Sequence, residues 1–156
     1  MSARTPIVLA LAGLLGLGAV ADVEAARGFD VRDLQKLDRV SSPVLSPDGA
    51  RVVFARREIG EDLGKASTGL WIRDLRTRDM APPRRLTPEG WNVNSPSFSA
   101  DGRLVYFLSA KDGTQQLYAI PAGGGEPQQL TGYPLDIGSY KVSPDGKRIA
   151  VSMDVF

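Results

Sequence analysis

The chain has 156 residues, 42% of them hydrophobic and 24% charged, with a formal net charge of +1. That length suggests one domain of ordinary globular composition, and the near-neutral balance gives no electrostatic pull toward nucleic acid or an acidic membrane. It contains neither Cys nor His, so disulfides, thiolate nucleophiles, Cys- or His-based zinc sites and a Ser-His-Asp triad are excluded within these residues.

The first stretch reads as an address rather than as fold. Arg4 supplies a positive start, and residues 7–21 are an uncharged run of Ile, Val, Leu, Ala and Gly. The run is shorter than the roughly 20 residues a spanning helix needs. Ala19-Val20-Ala21 and Val23-Glu24-Ala25 put small residues where cleavage occurs, after Ala21 or Ala25. Residues 1–25 are therefore expected to be a Sec-type signal peptide, with an uncleaved anchor as the alternative. The mature protein is expected in the periplasm or secreted, touching a membrane only transiently during export. Removal through Ala25 takes away one basic and two acidic residues and leaves +2.

Residues 26–40 form a lead-in. Asp30 can cap a helix with Asp33 in its first turn. Val31, Leu34, Leu37 and Val40 make one apolar stripe, with Arg32, Lys36 and Arg39 on the other side. The spacing predicts a short helix of about three turns packing on the first repeat. A partner-binding helix is the alternative.

The body of the chain repeats itself. Val44-Leu45-Ser46-Pro47-Asp48-Gly49-Ala50-Arg51-Val52-Val53-Phe54 returns as Ser97-Phe98-Ser99-Ala100-Asp101-Gly102-Arg103-Leu104-Val105-Tyr106-Phe107. It returns again as Lys141-Val142-Ser143-Pro144-Asp145-Gly146-Lys147-Arg148-Ile149-Ala150-Val151. Pro47 and Pro144 pre-set φ for a tight turn. Asp48, Asp101 and Asp145 can accept local N–H bonds, and the following glycines can take φ > 0. Each copy predicts a hairpin tip whose Asp is a structural acceptor rather than a ligand or catalytic acid.

A second element keeps step with the first. Leu70-Trp71-Ile72 is matched by Leu117-Tyr118-Ala119, and Arg85-Leu86-Thr87 by Gln129-Leu130-Thr131. Asp48 and Asp101 are 53 residues apart, and Asp101 and Asp145 are 44 apart. Strand signals alone, recurring every 40–50 residues or so, point to propeller blades. The predicted architecture is all-β: a partial β-propeller of about two and a half four-stranded antiparallel blades, preceded by the signal peptide and the short helix. Its units are blade 1 at 41–88, blade 2 at 89–132 and an incomplete blade 3 at 133–156. Pro43 is expected at the edge of the first strand. Strands are expected at 51–56, 69–75, 84–87, 93–99, 104–109, 116–120 and 128–131. Residues 57–68 read as a solvated loop and 77–83 as a turn. A third blade beginning at Ser139 and halting at Phe156 leaves an apolar strand without its neighbours. The expectation is the front part of a longer polypeptide.

Chemical motifs are few. There is no Gly-x-Ser-x-Gly elbow, no Ser-x-x-Lys and no Asp-x-Asp-x-Asp-Gly calcium loop. The stretch from Gly60 to Ala66 nearly spells a phosphate-binding loop, but it is one residue short and ends in Ala where the hydroxyl belongs. Gly123, Gly124 and Gly125 lack a following helix or Lys-Ser/Thr, so a hairpin loop is the reading there. Arg76, Arg78, Arg84 and Arg85 form a basic cluster without interleaved aromatics, which reads as a solvated strand end rather than an RNA site. No catalytic, cofactor-binding or metal-ligating residue is assigned, and no cofactor is implied.

Taken together, these residues resemble a known start. Asp33-Leu34 and Leu37 in a short helix, then Val40-Ser41-Ser42-Pro43 running into Leu45-Ser46-Pro47-Asp48-Gly49, resemble the opening of secreted bacterial prolyl oligopeptidase-family serine peptidases. These include the dipeptidyl aminopeptidase and acylaminoacyl peptidase types. Leu70-Trp71-Ile72 followed by Arg85-Leu86-Thr87 is similar to their first blade, and the Ser-Pro-Asp-Gly repeats are of the TolB type. The resemblance covers residues 30–156, with Ala100 standing where the usual turn proline would be. It implies a C-terminal α/β-hydrolase domain carrying the Ser, Asp and His, a peptide substrate, and a propeller that restricts access. This chain alone is then expected to be inactive. The alternative is a non-enzymatic TolB-like propeller that binds a cell-envelope protein.

Overall fold

A computed structural model describes residues 28, 30–59, 65–76 and 81–154. The expected signal peptide, residues 60–64 of the near-phosphate loop, residues 77–80 of the turn and the side chains of Arg32 and Lys36 lie outside the described residues.

Helix α1 spans Val31–Lys36. The Asp30 N–H donates to the Asp33 Oδ2 at 2.9 Å, which ties the first turn. The stripe predicts a helix running to Val40, yet α1 stops at Lys36 and Leu37 is already extended. The reason is competition from the sheet: Arg39 and Val40 pair with Arg57 and Arg56 instead. Val31, Leu34, Leu37 and Val40 stay more than half exposed, and Val31, Leu34 and Leu37 share a shallow cleft with Arg57 and Ile59 of the first repeat.

Two four-stranded antiparallel sheets and one two-stranded sheet follow. The first holds β1 (Arg39–Leu45), β2 (Arg51–Ile59), β3 (Ala66–Asp74) and β4 (Arg84–Arg85) in chain order. The second holds β5 (Val93–Phe98), β6 (Leu104–Ser109), β7 (Gln116–Pro121) and β8 (Gln128–Gln129). The third pairs β9 (Ile137–Val142) with β10 (Ile149–Met153). These are two blades and the first half of another, as the repeats predict.

Three local expectations change. Residues 57–59 and 66–68 are ladder, not loop: β2 and β3 pair without interruption from Arg51↔Asp74 to Ile59↔Ala66. The charges that suggested a solvated loop sit on a sheet face, where Glu58 holds Arg85 at 2.8 Å. Strands β4 and β8 are only two residues long, because a hydroxyl takes over from the main chain. The Leu70 N–H donates to Thr87 Oγ1 and the Leu117 N–H to Thr131 Oγ1, each at 3.0 Å. Pro43, expected at a strand edge, lies inside β1 at a bulge between Ser41 and Val44. The bulge takes it out of the ladder, so its missing N–H is not needed.

Blades 1 and 2 meet through Val53, Ala55, Leu70 and Ile72 on one side and Val93, Val105, Phe107, Tyr118 and Ile120 on the other, all buried. The opposite face of blade 2 presents Tyr106, Leu108, Leu117 and Ala119 to Ile137, Tyr140, Val142, Val151 and Met153 of blade 3. Successive residues of a strand point to opposite faces. Both faces of β6 and β7 are covered, which is why Leu104-Val105-Tyr106-Phe107-Leu108 reads as a continuous apolar run. Each fully buried side chain contributes about 1.5–3 kcal/mol.

Candidate functional site

The three Asp-Gly tips close in the same way. The Ser46 hydroxyl donates to Asp48 Oδ1 at 2.6 Å and accepts the Arg51 N–H at 2.9 Å. The Ala50 N–H also reaches Asp48 Oδ1, at 3.1 Å. Ser99 and Asp101 repeat the pattern with the N–H groups of Leu104 and Arg103. Ser143 and Asp145 repeat it with those of Arg148 and Lys147. Gly49, Gly102 and Gly146 hold φ of 67°, 68° and 68°, the left-handed region that a residue with a Cβ resists. The serine hydroxyls, and next the backbone N–H groups, hold all three carboxyls below their ordinary value. Each serine oxygen is occupied as acceptor and donor. The pair is a turn lock and not a nucleophile with its base.

The predicted basic cluster disperses. Arg76 reaches Asp48 Oδ2 at 3.0 Å, and Arg84 donates to the Ala122 carbonyl at 2.6 Å. Arg85 pairs with Glu58 and donates to the Thr87 carbonyl; Arg78 lies outside the described residues. Arg84 has a counterpart in Arg51, which donates to the Gly102 carbonyl at 2.7 Å. These two guanidinium groups therefore clip blade 1 onto loops of blade 2. The glycine loop from Pro121 to Pro127 connects β7 to β8 as a hairpin, with Gly124 and Gly125 at positive φ and no helix after it.

Blade 1 turns a different face outward. Arg56 lies 4.4 Å over the Trp71 ring and bonds Asp38 through Nε at 2.9 Å. Arg85 lies flat over Gly69, where a Cβ would come within 2.8 Å of its Nη2. The absence of a side chain at Gly69 is what lets the guanidinium reach Glu58.

An open feature lies along the first strands of the blades. Between β5 and β9 runs a groove of about 500 Å³, lined by residues 95–98 and 139–142. Both strands are terminal in their sheets. The Tyr140 hydroxyl crosses the gap, donating to the Ser95 carbonyl at 2.7 Å and sharing a hydrogen bond with Ser97 Oγ at 2.8 Å. Burial pushes its pKa up to about 12. Ser95, like Ser42 in blade 1, stands at φ 50° before a proline, a conformation uncommon for a residue with a Cβ. Sequence reasoning missed this group. Its signal was the Ser-Pro pair that begins four residues before the tip serine, at Ser42-Pro43 and again at Ser95-Pro96.

Residues 20–154 match the PD40 model, TolB beta propeller domain. The chain belongs to that family. Among its relatives is the uncharacterized peptidase YuxL of Bacillus subtilis, 28% identical over 124 residues that make 79% of this chain and 18% of YuxL. Dipeptidyl-peptidase 5 of Porphyromonas gingivalis is 32% identical over 119 residues, 76% of this chain and 17% of that protein. The chain thus spans less than a fifth of the length of these curated relatives. The solved structure of a putative TolB from Agrobacterium tumefaciens superposes with a TM-score of 0.57 at 24% identity. It covers 74% of this chain and 41% of that one. The TolB-type repeats and the resemblance to peptidases of the prolyl oligopeptidase family are both borne out.

Proposed function

We propose that this chain is the propeller portion of an exported serine peptidase. In this reading a C-terminal α/β-hydrolase domain of the same polypeptide hydrolyses peptide bonds, and the blades restrict which peptides reach it. The observation that carries the reading is the alignment of about three quarters of the chain with two peptidases, YuxL and dipeptidyl-peptidase 5, each several times its length. Wedge-shaped blades whose first strands leave an open edge suit a wall around a passage. The signal-like sequence of residues 1–25, a positive start followed by an apolar run, supports export to the periplasm or beyond.

The test is capture from the source cells. An antibody to residues 84–154 is applied to extracts labelled with a fluorophosphonate, which reacts with activated serines. The expected result is a captured polypeptide that carries the label and cleaves short peptides but not folded proteins. An unlabelled polypeptide overturns the proposal. It would favour instead a TolB-like binding propeller, the reading supported by likeness to the Agrobacterium TolB structure.

A further inference from the structure

The groove between β5 and β9 has more to it than its position. In an antiparallel pair, residues alternate between exchanging N–H···O bonds with their partner and turning those groups away. The Ser143 N–H donates to the Arg148 carbonyl at 2.9 Å, which sets the phase on β9. Val142 and Tyr140, one and three residues back, therefore turn their N–H and C=O groups away from β10 toward the groove. The Ser99 N–H donates to the Leu104 carbonyl at 2.9 Å, and the same alternation turns the main chain of Phe98 outward from β5. Among the described residues no hydrogen bond reaches these main-chain groups. No acidic side chain lines the groove.

We infer that this groove binds an extended peptide through its main chain, as a strand added to the open edge of β9. The outward groups of Tyr140 and Val142 lie two residues apart. This is the repeat at which an extended chain presents its own N–H and C=O groups to one side, about 6.8 Å along a strand. Ser95, Ser97 and Ser139 line the space beside it, the Ser97 hydroxyl bonded to Tyr140 and the Ser139 hydroxyl to Ser152. The Val142 side chain packs against the core between blades 2 and 3, and the Tyr140 side chain spans the groove to Ser95 and Ser97. The lining carries one positive charge, on Lys141, and no acidic group, so binding through the main chain takes peptides of varied sequence. The inference rests on the peptide-handling function proposed above and names how a peptide is held on its way in.

The parent polypeptide, treated with the fluorophosphonate to block any reactive serine and labelled with ¹⁵N, is titrated with acetyl-Ala-Phe-Ala-Ala-amide and with the same peptide N-methylated at alternate amides. Saturable amide shifts are expected at Phe98, Tyr140 and Val142, with the N-methylated peptide binding at least tenfold more weakly. Equal affinity for the two peptides, shifts centred elsewhere or no saturable shift overturns the inference. Ser97→Phe fills the groove and should abolish the shifts. If that variant does not fold, the comparison of the two peptides on the unsubstituted polypeptide still decides. A serine-reactive parent polypeptide that fails this titration would leave the peptidase reading standing and remove only the groove.

Discussion

The two junctions between blades are built differently. Blade 1 meets blade 2 through aliphatic and aromatic side chains that are almost wholly buried, and Arg51 and Arg84 reach across it to main-chain carbonyls. Blade 2 meets blade 3 through a smaller buried set. Tyr140, Val142, Val151 and Met153 are only partly covered, and one tyrosine hydroxyl bridges the inner strands. The first junction holds only a smaller cavity of about 240 Å³, between Arg51, Ile72 and Arg84 of blade 1 and Ala122 and Gly123 of blade 2. The second leaves a groove at its inner end. The first junction joins two four-stranded sheets and the second joins a four-stranded sheet to a two-stranded one, and the inner strands differ in carrying Pro43, Pro96 or Tyr140 at one position.

The largest effect should come from the first junction. Phe107 is fully buried and stacks on Tyr118 with ring centroids 5.8 Å apart. Phe107→Ala is expected to destabilise by about 3–5 kcal/mol in urea unfolding. Leu117→Ala, at the second junction, should fall toward the lower end of about 2–5 kcal/mol, because partly covered neighbours can close over the space. Equal losses would erase the distinction. Arg51→Leu installs the residue that the second repeat carries at Leu104. It should cost about 1.5–3 kcal/mol by removing a charged donor from the Gly102 carbonyl.

Titration sharpens the contrast further. Tyr140 has a folded pKa of about 12, raised from 10.0 by burial. A raised folded value gives stability that is full below pH 10.0 and is lost as pH rises toward about 12. Tyr140→Phe should flatten that alkaline decline in the thermal midpoint while costing about 1 kcal/mol at neutral pH. The tips behave in the opposite sense. Asp48, Asp101 and Asp145 have folded pKa values lowered from 3.8, chiefly by the serine hydroxyls. Their contribution is complete above that value and is lost as pH falls through the lowered one. Ser46→Ala should give the smallest change of this series, a reduced acid sensitivity in thermal melts below pH 3.8.

The tips were legible because their chemistry is local. A serine, an aspartate and a glycine within four residues carry their own hydrogen bonds, so a window of sequence contains the whole device. The Leu-Thr pairs were equally visible as repeats, although the role of their hydroxyls in ending β4 and β8 was not. What escaped depended on distant partners. Arg57 and Glu58 look like loop residues until β3 is set beside them. Val40 continues a helical stripe until Arg56 claims it. Arg51 and Arg84 are ordinary surface residues until the Gly102 and Ala122 carbonyls come within reach. Tyr140 stands where the first repeat has Pro43 and the second has Pro96. A hydroxyl arriving there means nothing until blade 2 lies opposite.

A turn whose serine and aspartate hold its own backbone N–H groups asks little of its neighbours. A gene segment encoding such a turn and its two strands can be duplicated whole, and each copy brings the hydrogen bonds of its own tip. Selection is then free to work on the flanks. Arg51, Leu104 and Arg148 occupy one position in three copies and have already parted company, as have Pro43, Pro96 and Tyr140. Divergence of that kind lets a lineage of identical modules acquire unlike joints without relearning how to bend the chain.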